Sequence, residues 1–326
     1  MRVKQLLAAA VLAATGMVTQ AAAQTEIKFG HVGEPGSLFD QSATEFAKRA
    51  NEKLGDKAKV VVYGLSQLGD DKSMLQKIKL GTIDMALPST IMSSMVPVFG
   101  LFEMPYLVHD REHMGRIRDE IVTPTLIPEA EKAGYRVLGV WENGFRQITN
   151  NAHPINTPAD LKGIKLRVPS GEWRVKMFQS YGASPSPMSF SEVFVALQTG
   201  VMDGQENPYA QIYPSRFYEV QKYLSKSNHV YTPGYVVAGR SWDKLDPEVQ
   251  QVLQDTAVEM QDVVYEIAAG LDTDLLQKLT EEGMEVNEVD TAAFVEASKP
   301  IYDEFAAAIP GAAEMIAKAQ SLAPGQ

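Results

Sequence analysis

The chain has 326 residues, 45% of them hydrophobic, with no cysteine and a formal net charge of −11. That acidity argues against nucleic acid or an anionic membrane surface as a bulk electrostatic partner. The missing thiols exclude disulfides, a lipid-modified cysteine, thiolate catalysis and sulfur-based metal sites, so about 300 residues must stand on hydrophobic cores alone.

At the N-terminus, Arg2 and Lys4 precede an apolar run from Leu6 to Val18, and Ala21-Ala22-Ala23 offers a small-residue cleavage site. This three-part pattern predicts a secretory signal over residues 1–23, too short for a membrane span. Its removal takes Arg2 and Lys4 with it and moves the charge from −11 to −13. No second apolar run approaches the roughly 20 residues that a spanning helix needs.

Next come a short strand at Glu26–His31, a Gly/Pro-bearing loop, and a helix over Ser37–Leu54 carried by Leu38, Phe46, Ala47 and Ala50. Lys59–Tyr63 is β-branched and reads as a strand. A helix follows at Asp70–Leu80, starting at Lys72 if Asp70 caps it, and Gly81 stops it. Ile83–Leu87 is a third strand. This rhythm predicts an α/β domain with a largely parallel sheet.

A second series follows, with strands at Tyr135–Trp141 and Lys165–Val168 and a capped turn at Thr157–Leu161. Helices are expected at Trp173–Tyr181 and Ser191–Thr199, and strands at Ser227–Tyr231 and Tyr235–Ala238. Asp246-Pro247 is a strong helix start, and apolar residues keep a helical period from Val249 to Leu279. A helix of that length suits a bridge across two lobes. The expected division is 24–143 with 234–272 for the first lobe, and 144–233 with 273–326 for the second.

Catalytic signals are weak. His109-Asp110-Arg111-Glu112-His113 matches H-x-x-E-H, a zinc-protease pattern, but it lies in a charged stretch that reads as a solvated helix start. There is no nucleophile elbow, Walker loop or dinucleotide fingerprint. Asp70, Asp71 and Glu142 leave a paired-carboxylate hydrolase open. No catalytic residue, metal or cofactor is expected.

The stretch from Trp141 to Pro208 carries Arg146, Arg167 and Asn207, each poised between strand and loop. A guanidinium matches a carboxylate bidentately and stays charged at physiological pH. Taken alone, each arginine fits a structural salt bridge as well as an anion clamp.

Along nearly the whole mature chain runs a series of motifs: SQLGDD (66–71), GTIDMAL (81–87), MPYL (104–107), NGFRQITN, PADLKGIKLRVP, GASPSPMSFSEVFVALQTGVMDGQENP and FYEVQKYL. In this order the chain resembles the substrate-binding proteins of tripartite ATP-independent periplasmic (TRAP) transporters, of the dicarboxylate-binding type. The resemblance implies a two-lobed α/β periplasmic binding-protein fold with a long helix spanning both lobes, closure on a small organic anion, and delivery to small and large permease subunits in the membrane. It implies Arg167 as principal carboxylate clamp, Arg146 as a second contact, Asn207 as ligand donor that also positions the clamp, and Phe190 as apolar lining.

First-lobe candidates are Glu34, Ser37, Gln67, Asp70, Ser89 and Thr90, all at strand C-terminal ends where open α/β sheets take ligands. Turn chemistry and helix capping explain the same residues. Trp173 and Trp141 are expected either to stack on the ligand or to belong to the core. Where the sialic-acid branch resembles this chain, an asparagine and a glutamate occur near Val32 and Ser89, so a hydroxy acid, a sugar acid such as a uronate, or a sulfonate fits better. Glu34 in the cleft would favour a hydroxyl or amine. The rival functions are a secreted hydrolase of acidic sugars and a receptor that presents its ligand to a sensor kinase.

Overall fold

The computed structural model describes residues 24–325, and the signal expected at 1–23 lies outside the described residues. Eleven strands are described: β1 (Thr25–Gly30), β2 (Ala58–Tyr63), β3 (Met85–Ala86), β4 (Arg136–Phe145), β5 (Gln147–Asn150), β6 (Lys165–Val168), β7 (Ser184–Pro187), β8 (Gly204–Asn207), β9 (Tyr223–Lys226), β10 (Tyr231–Ala238) and β11 (Glu285–Glu288). They form two sheets, ordered β2-β1-β3-β10-β4 and β11-β9-β5-β8-β6-β7.

The first sheet departs from the expected parallel arrangement at one strand. β1 pairs parallel with β2 and β3, whereas β10 enters antiparallel between β3 and β4. The chain returns from the second sheet at this point, so β10 runs opposite to its neighbours. Its eight residues are all buried, as a strand covered on both faces requires. The third expected strand shrinks to Met85–Ala86.

Ser227–Tyr231, expected as a strand, is mostly connector. β9 ends at Lys226 and β10 starts at Tyr231. Alternation at Ser227, His229 and Tyr231 imitates a strand, but Ser227 and His229 are buried polar groups that satisfy each other, Oγ to Nδ1 at 2.8 Å. Another crossing is the single residue between β4 and β5, Arg146, whose N–H donates to the Val230 carbonyl at 2.9 Å. These two of the three crossings between the sheets are thus tied to each other; the third runs through the helix Pro247–Glu281 to β11.

Local chemistry sets the helix ends. Asp70 accepts from the Ser73 N–H at 2.8 Å and caps Asp71–Leu80, which closes on Gly81 at φ 74°. The helix therefore starts one residue before Lys72. Asp246 caps the 35-residue helix Pro247–Glu281. Its first half lies on the first lobe, where the Ala257 carbonyl accepts the Trp141 indole N–H at 2.9 Å. Further on it meets the helix Tyr209–Ile212 that follows β8. Thr291–Ala308 packs on Glu172–Ser180, with Phe305 edge-on to Trp173 at 5.1 Å. Ala312–Ser321 returns to the first lobe, where the Ala319 carbonyl meets His113 Nε2 at 2.8 Å.

That contact disposes of the H-x-x-E-H motif. His113 is fully buried, and its Nδ1 accepts from the His109 N–H at 3.2 Å, so its Nε2 carries the proton donated to Ala319. Neither ring nitrogen is free for a metal.

Candidate ligand-binding cleft

Between the two sheets lies a pocket with about 610 Å³ of empty space, its open mouth included. Val32, Phe39, Asp70, Asp71, Ser89 and Thr90 line it from the first lobe, and Arg167, Met188, Phe190, Asn207 and Gln211 from the second, with Arg146 at the crossing. Arg167 is the third residue of β6 and Asn207 the last of β8, so parallel strand ends deliver both to the cleft.

Arg167 is 3% exposed, and its Nε and Nη2 donate to the Met188 carbonyl at 3.0 and 2.6 Å. No ion pair holds it among the described residues. Burial, together with the nearby Arg146, pulls its pKa down to about 9. The opposing pull of Glu206 and Asp71 does not offset this. The Phe190 ring centroid lies 5.9 Å from it.

Arg146, 2% exposed, is by contrast ion-paired through Nε and Nη2. Its Nη2 donates to Glu206 Oε1 at 3.0 Å and to the Glu206 carbonyl at 2.5 Å, and its Nε binds Oε2. Glu206 also receives Arg174 Nη1 at 2.7 Å and His229 Nε2 at 3.0 Å. Burial pushes the Glu206 carboxyl up, but Arg146 and Arg174 outweigh it and hold the group well below the usual carboxylate range. Burial lowers His229 despite that carboxylate.

The polar wall continues through Asn143, which donates to Thr232 Oγ1 at 3.2 Å and accepts from Gln211 Nε2 at 3.2 Å. Asn207 donates to Gln205 Oε1 at 2.6 Å and makes no bond to Arg167. The direct partner of Arg167 is the Met188 carbonyl. Across the mouth, Ser189 Oγ of the second lobe donates to Asp70 Oδ2 at 2.9 Å, and Ser94 Oγ donates to the Ser170 carbonyl at 3.0 Å. The lips touch at these two points.

Six of the eight principal candidates meet here: Arg167, Arg146, Asn207, Phe190, Asp70 and Ser89, with Thr90 beside them. Glu34 does not line the pocket. Its loop reaches the cavity through Val32, and Ser37, fully buried, caps the next helix by accepting from the Asp40 N–H. Trp173 is 4% exposed, wedged between Phe305 and the bare Cα of Gly100, and belongs to the core between lobes. Trp141 packs edge-on with Phe29 and Phe46, and Gln67 stays outside the pocket.

The residues missed in the sequence are those that neutralise one another: Glu206, Arg174, Glu103 and His229. Glu206 gave one signal, a carboxylate inside a short strand next to Asn207. Nothing local marks Arg174, since an arginine in a helix normally reads as a solvated face.

The family described as "Bacterial extracellular solute-binding protein, family 7" (DctP) matches residues 29–308. The 2,3-diketo-L-gulonate-binding periplasmic protein YiaO of Escherichia coli K12 is 32% identical over 302 residues, covering 91% of this chain and 92% of its own. The sugar acid binding protein DctPAm of Advenella mimigardefordensis, solved with galactonate, superposes with a TM-score of 0.88 at 32% identity, covering 92% of this chain and 99% of that one. A TRAP periplasmic solute-binding protein of Sulfurospirillum deleyianum, solved with succinate, gives 0.88 at 32% identity, covering 93% and 100%.

Proposed function

Since the chain belongs to the bacterial extracellular solute-binding proteins of family 7, we propose that its cleft receives one small organic acid, whose carboxylate Arg167 takes. The observation that carries this reading is the buried Arg167 guanidinium, which bonds only the Met188 carbonyl and has no ion pair among the described residues, while Arg146 beside it is paired with Glu206. A desolvated charge left unpaired costs several kcal/mol, and a bound carboxylate removes that cost. The sugar acids and succinate held by similar proteins support the same class.

In this reading Asn207, Phe190, Asp70 and Ser89 complete the site around the acid. Arg146 acts mainly through Glu206, which fixes it at the crossing between lobes. The lobes are 24–143 with 234–272, and 144–233 with 273–326, the final helix folding back on the first. Open and closed forms interconvert, and the ligand favours the form in which both lobes touch it. The mature chain works in the periplasm once residues 1–23 are cleaved, and it hands the acid unchanged to a TRAP permease of small and large membrane subunits.

A thermal-shift screen against organic acids tests the reading. A true ligand at 100 times its dissociation constant adds ~2.7 kcal/mol of stability. If no carboxylate raises the melting temperature, the assignment fails.

A further inference from the structure

The chain carries no cysteine, so its methionine thioethers are the only sulfur that an oxidant can reach. Among the described residues every methionine except Met95 and Met188 is buried. Met95 ends the short helix Met92–Met95 and lies outside the ligand pocket. Met188 follows β7 directly, is partly buried and lines that pocket. Its own carbonyl accepts Nε and Nη2 of Arg167 at 3.0 and 2.6 Å. Its neighbour Ser189 reaches Asp70 across the mouth at 2.9 Å. A reachable sulfur therefore sits on the residue that holds the guanidinium.

We propose that Met188 is a redox-sensitive modification site, at which a peroxide oxidises the thioether to the sulfoxide and weakens capture of the acid. The consequence for capture rests on the organic-acid receptor reading. The sulfur lone pair attacks one peroxide oxygen, so an S–O bond forms as the O–O bond breaks. The hydroxide released removes the proton left on the new S–OH group, giving the sulfoxide and one water. Sulfur loses two electrons and the peroxide gains them. A flexible apolar side chain thereby becomes a polar one with a new acceptor oxygen. That oxygen carries partial negative charge in the same pocket as Arg167. It competes with a carboxylate for the guanidinium and repels the incoming anion. Sulfoxide reductases reverse the change, one enzyme for each epimer, so the loss of capture is reversible.

Peroxide treatment of the mature chain, followed by peptide mass spectrometry and calorimetry, provides the test. Sulfoxide should form at Met188 and Met95 before it forms at any buried methionine. Galactonate and succinate, held by similar proteins, are titrated first, then the other acids of the thermal-shift screen. The treated protein should bind its best acid about tenfold more weakly, the weight of one charge-assisted hydrogen bond. Both reductases together should restore the affinity. Met188→Leu has no sulfur to oxidise, so peroxide should leave its affinity at its own untreated value. Met95→Leu should lose affinity on treatment as the wild type does.

Met188 oxidising no earlier than the buried methionines overturns this inference. So does an affinity that oxidation leaves unchanged, or one that falls equally in Met188→Leu, and each of these outcomes leaves the organic-acid receptor standing. If no acid binds the untreated protein, the receptor reading fails and this inference with it.

Discussion

Arg174 and Glu103 join the two lobes in an ion pair sealed from solvent. Nη2 of Arg174, on the helix Glu172–Ser180, lies 2.9 Å from Oε2 of Glu103, in the first-lobe segment Pro97–Glu103, and their side chains are 0% and 2% exposed. Through Nη1 the same guanidinium holds Glu206 at 2.7 Å, the carboxylate that fixes Arg146. One side chain therefore connects the interface between lobes to the wall of the ligand pocket.

Removing it strands Glu103 and takes from Glu206 one of its two guanidiniums. Breaking a buried pair by deleting one partner costs about 3–5 kcal/mol, so Arg174→Met should lose stability of that order in urea unfolding of the ligand-free protein. A midpoint equal to wild type would mean that the pair contributes nothing. The variant should also bind ligand more weakly, because Glu206, which anchors Arg146, loses one of the groups that hold it.

Arg167 should behave in the opposite way in the absence of ligand. As a buried cation without an anion it is a liability to the empty protein, so Arg167→Met should melt at the wild-type temperature or above. Its ligand affinity should fall by the ~2–5 kcal/mol expected when a buried charge pair loses a partner, or about 30- to several thousand-fold. Arg167→Lys should also bind weakly, since an ammonium lacks the bidentate fork. Calorimetry on the three proteins, paired with ligand-free melting curves, separates this pattern from simple misfolding.

Burial, and secondarily Asp70, pushes the Asp71 carboxyl up to about 7, against the pull of Arg167. A carboxyl raised on folding is most costly when ionised, so the penalty is full above pH 7, shrinks as pH falls through 7, and is absent near its unfolded value of about 3.9. Asp71→Asn should therefore melt higher than wild type at pH 8, with the gap closing toward pH 5. A gap constant from pH 8 to pH 5 contradicts the assignment. Taking the difference between the two proteins cancels His31, whose burial lowers it to about 4 in both.

Gly100 has no room for a side chain. A Cβ there would sit 2.7 Å from Phe305 Cε2 and 2.8 Å from Trp173 Cδ1. Both rings are packed edge to face at the lobe interface, so Gly100→Ala should cost about 1–3 kcal/mol through overpacking. Trp173→Phe, which loosens the same contact, should restore part of that loss in the double variant. Purely additive melting shifts would show that Trp173 does not pack against Gly100.

The sequence was a good guide to local chemistry and a poor one to partners. Asp70, Gly81, Asp246 and Pro247 place helix ends because capping depends on a few adjacent residues. Strands of four residues such as β5, β8 and β11 were missed, since so short a segment carries almost no periodicity. The Ser227–His229 alternation misled for the same reason. Trp173 stayed undecided because an aromatic residue on a helix serves a core and a binding wall equally well, and only its contact with Gly100 and Phe305 decides.

By itself the sequence determined the α/β character, the long capped helix, and the arginines and amide of the Trp141–Pro208 stretch, because each follows from residues near one another in the chain. Only the tertiary structure decided which arginine is free. Glu206 lies 60 positions from Arg146, and Arg174 bridges to Glu103 across the lobes. Whether a guanidinium is neutralised depends on a few ångströms of space rather than on neighbours in sequence. That distinction pairs Arg146 with Glu206 and leaves Arg167 without an ion pair among the described residues.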